Sequence, residues 1–288
     1  MQDTAPLVVG IDVGGTKTQF RAFAGDTLVA DHVRSSSGWR PHDPVAAAGW
    51  LAALAADALP AGARPSALAV AQIRTALQLH FDAPALVVGD AELLVPAAGL
   101  DKGVGLVAGT GSVAVGRFAD GTPVQVGGWG ALLGDEGGAA GLVREAVRAV
   151  WAAHDRGEEP DPLALGLLSG FDVPEVPALG AALEHATAAS AEWGRHAPAV
   201  FAAAEAGSPL ARTVIAEAGR ALAGLVERLA ARGVVVDDVV VAGSTVLAQP
   251  SLYDAFVSAL ADGVPSARPR ALRAPPVDGA VAMARSLL

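Results

Sequence analysis

Leu7 to Val13 is a short apolar run that ends in Asp12-Val13-Gly14-Gly15. Lys17 to Phe23 then alternates polar and apolar positions, as a half-buried strand does. A turn at Gly25-Asp26 leads into a third strand-like run, Thr27 to Val33. Strands joined this closely pair antiparallel, so the chain does not open as a simple βαβ unit. Asp43-Pro44 reads as a helix N-cap followed by proline at the first helical position. The helix behind it places Val45, Trp50, Leu51, Leu54 and Leu59 on broadly one side.

Ala67 to Val70 reads as a weak strand, Gln72 to His80 as a short helix and Ala85 to Val88 as a strong strand. Val104 to Val107, Val113 to Val115 and Pro123 to Val126 are again three closely spaced strands. Their spacing repeats that of the first triplet and predicts a duplicated core, three antiparallel strands followed by helices, twice over. Leu142 to His154 has the period of an amphipathic helix. Arg156 to Pro177 is rich in proline and acids and is expected to be loop or short turns. Ser208-Pro209 opens a long helix that Gly233 stops. Val239 to Ala242 is a buried strand ending at Gly243-Ser244, and Ser251 to Ala261 a helix with Ser251 and Asp254 at capping-box-like spacing. Pro275-Pro276 precedes a last helix, Val277 to Leu287.

Composition narrows the chemistry. Of the 288 residues, 52% are hydrophobic and 17% charged, which suits a packed globular protein. The net charge of -10 offers no general attraction for nucleic acid or an anionic membrane surface. The absence of cysteine excludes disulfides, iron–sulfur clusters, thiol catalysis and Cys-based zinc sites. The six histidines are scattered without metal-ligand spacing. No secretory signal or spanning segment is legible, so the expected location is the cytoplasm.

The strongest local signal is Asp12-Val13-Gly14-Gly15-Thr16-Lys17-Thr18, between two strands. Glycines at such a turn expose backbone N–H groups able to hold phosphate oxygens, with Thr16, Lys17 and Thr18 adding hydroxyls and charge. Asp12, at a strand end, is placed for hydrated Mg²⁺. The alternative is an ordinary glycine-rich hairpin. A Walker A loop requires glycine directly before the lysine, and Thr16 stands there. Ala108-Gly109-Thr110-Gly111-Ser112 is a second such turn. Gly109 to Ala114 fits the dinucleotide fingerprint formally, but that fingerprint must open a helix, and Val113-Ala114-Val115 continues as strand. Two phosphate-type hairpins, one per half, suit a nucleotide held between similar domains.

These two segments and Val240-Val241-Ala242-Gly243-Ser244 resemble the phosphate 1, phosphate 2 and adenosine motifs of the actin-like ATPase superfamily. The stretch Gly127-Gly128-Trp129-Gly130 through Gly134-Asp135-Glu136-Gly137-Gly138 is similar to the signature of N-acetylglucosamine kinases and the related BadF/BadG/BcrA/BcrD-type ATPases. The resemblance implies an α/β fold of two actin-like (ribonuclease H-like) domains flanking a central nucleotide and sugar cleft. One domain would be 1–100, completed by the C-terminal helix 276–288, and the other 101–275 with a helical insertion. It implies an ATP-dependent kinase acting on the 6-hydroxyl of an amino sugar, most simply N-acetylglucosamine, with glucosamine and N-acetylmuramic acid as further substrates.

The same resemblance implies residue roles. Asp12 would orient Mg²⁺. Gly14, Gly15, Thr16, Lys17 and Thr18 would hold the terminal phosphates of ATP, with Gly109, Thr110, Gly111 and Ser112 closing on them. Gly243 and Ser244 would border the adenosine. Asp90 would be the base that takes the sugar proton, and a helix N-cap is its alternative role. Trp39, Gly128, Trp129, Asp135 and Glu136 would meet the sugar. Trp39 packed on its own domain, and Asp135 or Glu136 capping the following helix, are the alternatives there. The partners implied are ATP and a small sugar, with no nucleic acid or membrane and a homodimer left open. Two departures stand out. Gly89 precedes Asp90 where family members carry Asn, and Ala69-Val70-Ala71-Gln72 runs straight on where a glycine-containing loop is usual. Both leave room for a non-catalytic nucleotide- or sugar-binding protein on the same fold. Repressor-type sugar kinases with a Cys-rich zinc site, and dehydratase activators with a Cys-bound cluster, fit a cysteine-free chain poorly.

Overall fold

A computed structural model describes residues 5–14, 17–40, 43–60, 63, 65–71, 83–185 and 190–288. The chain divides into two compact units, Met1–Lys102 with Leu272–Leu288, and Gly103–Ala271. The first begins with β1 (Leu7–Val13), β2 (Lys17–Ala24), β3 (Thr27–Ser35), α1 (Pro44–Ala58), β4 (Ala67–Ala71) and β5 (Ala85–Val88). A 3₁₀ turn, Asp90–Leu93, then leads into α2 (Leu94–Ala97). The second unit starts with β6 (Val104–Ala108), β7 (Ser112–Arg117), β8 (Pro123–Gly127) and α3 (Ala139–Asp155). It continues through α4 (Pro162–Phe171), α5 (Leu179–His185), α6 (Ser190–Gly194), α7 (Ala197–Glu205) and the long α8 (Pro209–Ala231). β9 (Asp238–Ala242), α9 (Ser244–Ala248), α10 (Pro250–Gly263) and β10 (Arg268–Ala271) complete it, and α11 (Pro276–Arg285) returns to the first unit.

The two five-stranded sheets have one topology. Their orders are β3-β2-β1-β4-β5 and β10-β9-β6-β7-β8. In each, the leading triplet is antiparallel, a later strand adds in parallel to the first strand of the triplet, and a further one adds in parallel to that strand at the edge. β1 shows how the first unit builds layers. Val9, Ile11 and Val13 alternate onto one face with Phe20 and the α1 residues Ala47, Ala48, Leu51, Leu54 and Ala55. Val8 faces the opposite way and joins Leu93 and the α11 residues Ala280, Val281 and Ala284. Arg21 fastens that second layer, bonding Asp31 of β3 and Asp278 of α11. In the second unit the central sheet, α3, α8 and α10 share one large core that includes Leu106, Leu142, Val147, Leu222, Val241 and Phe256.

Several expectations are corrected. Arg156 to Pro177 is not merely loop, because α4 occupies its centre. Pro162 sits at the first helical turn, where a missing N–H costs nothing, and Asp161 caps the helix by accepting from Leu163 N at 2.9 Å and Ala164 N at 3.1 Å. Ser251 does not cap α10: Gln249 holds that position without a side-chain bond, and Pro250 opens the helix. On α1, Val45 is exposed and small alanines fill the buried face, since a close helix–sheet approach admits little side-chain volume. β10 and α9 were not foreseen. The helix expected over Gln72 to His80 lies outside the described residues. Among the described residues no single helix is long and apolar enough to cross a membrane.

Asp161 caps two helices together. Its second carboxylate oxygen accepts from the Ser208 hydroxyl, whose Oγ in turn accepts from Ala211 N at 2.9 Å at the start of α8. Ser208 is fully buried. Asp161→Ala removes one cap and leaves that hydroxyl without its acceptor. It should lower unfolding free energy by about 3 kcal/mol, read by urea denaturation. A loss under about 1 kcal/mol would mean the caps act independently.

Candidate active site

In the first unit, β1, β4 and β5 run parallel and side by side, so β1 and β5 end on the same edge of the sheet. Asp12 stands near the end of β1 and Asp90 just beyond the end of β5. Ligands of open α/β sheets gather outside the carboxyl ends of such strands. Both residues are half-buried. Burial foremost, and then the negative charge of Asp90, push Asp12 up to about 6, with Lys17 opposing. Burial also raises Asp90, against the hydrogen bond it accepts from Ala91 N at 2.8 Å. The cap of this 3₁₀ turn is Gly89, so Asp90 does not occupy the N-cap position. Gly89 N–H donates instead to Glu92 Oε1 at 3.0 Å.

The turn between β1 and β2 is drawn in by Gly14 N–H donating to Lys17 O at 3.0 Å. Lys17 is exposed at its rim. Gly15 and Thr16 lie outside the described residues. Thr18 is buried, and its hydroxyl shares a 2.8 Å hydrogen bond with Ser36 Oγ. Trp39 is half-buried against Trp50 of α1, ring centroids 5.6 Å apart. One flank of that indole is therefore spent on its own unit, as in the alternative weighed for it.

In the second unit the Gly109–Gly111 turn sits on the start of α3. Ala139 N donates to Gly109 O at 2.8 Å and Ala140 N to Thr110 O at 3.1 Å. Thr110 is exposed, whereas Ser112 is buried and donates to Glu136 O at 2.7 Å. Asp135 holds a left-handed backbone, φ 56°, and is nearly buried. Its carboxylate lies so close to Gly111 that a Cβ there would come within 2.3 Å of it, and it accepts from Gly130 N at 3.3 Å. Gly138 takes the N-cap of α3, so neither Asp135 nor Glu136 caps that helix with its side chain. Glu136 lines a cavity of about 290 Å³ between α3 and α8, along with Leu142, Val214 and Ala218. Gly128 adopts φ 74° and presents Trp129, which is 80% exposed.

Gly243 follows β9 with φ 116°, pressed against the backbone of Ala108, where a Cβ would meet the carbonyl at 2.3 Å. Only glycine allows that approach. It places Ser244 beside Gly109, and Thr245 Oγ1 donates to Gly109 O at 2.8 Å. The second glycine turn and the Gly243-Ser244 segment are therefore one local assembly. Sequence reasoning missed Thr245, Ser36 and Arg144. Arg144 bonds the carbonyls of Ala131 and Gly134 and so holds the glycine-rich loop. Thr245, directly after Gly243-Ser244, had a positional signal; the other two had none. Among the described residues no group of three or more His, Asp or Glu could cage a metal ion.

The BadF/BadG/BcrA/BcrD ATPase family model matches residues 9–284. A 77-residue stretch is 39% identical to an N-acetylmuramic acid/N-acetylglucosamine kinase of Clostridium acetobutylicum. That match takes in 26% of this chain and a quarter of the relative's length. A proposed N-acetylglucosamine kinase from Chromobacterium violaceum is similar in structure, with TM-score 0.74 and 24% identity over 96% of this chain and 98% of that one. A ROK family glucokinase from Streptomyces griseus, solved with glucose and AMPPNP, has TM-score 0.56 and 16% identity over 98% and 99% of the two chains. Likeness at these identities carries the fold, a two-domain α/β architecture of the actin-like kind.

Proposed function

Because the chain belongs to the BadF/BadG/BcrA/BcrD ATPase family, we propose that it is an ATP-dependent kinase that phosphorylates the 6-hydroxyl of an amino sugar, N-acetylglucosamine first. The observation that carries this is the pairing of Asp12 and Asp90 at one sheet edge beside a glycine turn. Phosphoryl transfer asks little covalent chemistry of a protein. It needs a neutralised phosphate chain and an oriented acceptor hydroxyl. Asp90 serves as the base, since its burial brings its proton affinity nearer to what a base at neutral pH requires. Gly14, Gly15, Thr16 and Lys17 are the proposed phosphate contacts of the first unit, and Gly109, Thr110 and Gly111 those of the second. Gly243 and Ser244 border the adenosine.

A divalent cation fits the donor set. Asp12 is a withdrawn carboxylate burdened by a second negative charge, which a hydrated Mg²⁺ would relieve. When bound, the ion neutralises the phosphate oxygens. The sugar contacts proposed are Trp39, Gly128, Trp129, Asp135 and Glu136. The match to the Clostridium kinase supports an amino sugar.

The test is ADP release with Mg²⁺-ATP across N-acetylglucosamine, glucosamine, N-acetylmuramic acid and glucose. The highest kcat/KM is expected for N-acetylglucosamine. ATP binding with no sugar stimulating ADP release would replace the kinase reading with a binding protein.

A further inference from the structure

Each sheet closes its first hairpin with a hydroxyl residue. Thr18 pairs with Val13 at the mouth of the β1–β2 turn, and Ser112 pairs with Ala108 at the mouth of the β6–β7 turn. Exposed hydroxyls at these places would serve a phosphate directly. Neither is exposed: Thr18 retains 1% of its surface and Ser112 3%. Each hydroxyl is instead committed to the segment following the third strand of its own triplet. Thr18 shares its bond with Ser36, directly after β3, and Ser112 donates to Glu136 O, between β8 and α3.

Those segments carry the side chains proposed to meet the sugar. Ser36 is buried and is followed by Ser37-Gly38-Trp39, and the Trp39 backbone N–H donates to Ser36 O at 2.9 Å. Glu136 follows Asp135, whose carboxylate already abuts Gly111 of the glycine turn. The same link thus occurs at equivalent positions of two sheets of identical topology. A hydrogen bond from a buried hydroxyl, to Ser36 Oγ in one unit and to the Glu136 carbonyl in the other, is costly to break, so moving one partner drags the other.

We propose that Thr18 and Ser112 are positioning residues that couple each glycine turn to the acceptor segment of its own unit, so that ATP bound at the turn steadies the segment that receives the sugar. This rests on the kinase reading for the identity of the acceptor. The coupling itself is a property of each unit and can be measured with ATP alone.

The experiment is amide hydrogen exchange on the full chain with and without Mg²⁺-ATP. In the wild type, ATP should slow exchange across Ser36 to Arg40 and across Gly128 to Gly138 by about tenfold, within the usual range for coupled sites. Thr18→Val keeps the β-branched shape and deletes the hydroxyl. It should abolish the ATP-dependent slowing over Ser36 to Arg40, and Thr18→Ser should restore it. Ser36→Ala tests the same link from the other side and stands in if Thr18→Val does not fold. Ser112→Ala should act likewise over Gly128 to Gly138. A merely structural role would speed exchange equally with and without ATP, leaving the ratio unchanged, and that result overturns the proposal. So does a wild type in which ATP leaves both segments unaffected. Sugar-dependent ADP release can fail while the ATP-dependent slowing persists, which would sink the kinase reading and leave the coupling standing.

Discussion

Asp90→Asn should lower turnover on the best sugar by roughly 10²-fold or more, the range expected for losing a general base. A sugar hydroxyl is a weak nucleophile at neutral pH, and a positioned carboxylate both orients it and receives its proton. Asn keeps the size and can still accept from Ala91 N, as the carboxylate does now, so the 3₁₀ turn should persist. ATP affinity should therefore change little, and the loss should fall on kcat. Burial raises the proton affinity of Asp90, so the acid limb of the wild-type kcat/KM profile should lie above the ordinary carboxylate range. Turnover falls as pH drops through that limb because the base becomes protonated. Steady-state kinetics across pH check both points. An Asp90→Asn enzyme at wild-type turnover would remove Asp90 from the chemistry.

Asp12→Asn should make the protein more stable and less able to bind Mg²⁺-ATP. The Asp12 carboxyl has a proton affinity of about 6 in the folded chain against 3.8 for an ordinary aspartate. The folded state thus holds this proton more tightly than the unfolded one, and stability falls as pH rises. The penalty is absent below about pH 4, grows up to about pH 6 and is constant above, reaching about 3 kcal/mol. Asn carries no such charge, so its advantage should be present at pH 7.5 and vanish near pH 4. Urea denaturation at both values, without nucleotide, measures it. Mg²⁺-ATP should raise the melting temperature of the wild type and do so far less for Asp12→Asn. A variant no more stable at pH 7.5 would mean that the Asp12 charge is not strained in the empty protein.

The two strand triplets could be read from the chain because alternation and turn residues are local properties. β1, β2 and β3 and their counterparts β6, β7 and β8 lie where the pattern puts them, and β7 is a strand, which rules out a dinucleotide fingerprint at Gly109. Asp43 caps α1 as its sequence predicts, accepting from Val45 N and Ala46 N. Local rules misled over Arg156 to Pro177, where proline was taken only as a breaker. Pro162 opens a helix there, because the first helical turn needs no N–H donor.

Hydrophobic period, turn chemistry and glycine placement thus specify the strand triplets, most of the long helices and the two glycine turns, since each depends on residues a few positions apart. They do not specify which buried polar group meets which across long stretches of chain. Thr18 with Ser36, Ser208 with Asp161, and Asp135 with Gly111 are all juxtaposed by strand register and helix packing. The raised proton affinity of Asp12 likewise depends on β4 bringing the ends of β1 and β5 to one edge, although Asp12 and Asp90 stand 78 positions apart in the sequence. Burial and the neighbouring charge set that chemistry, and both exist only once the sheet has formed.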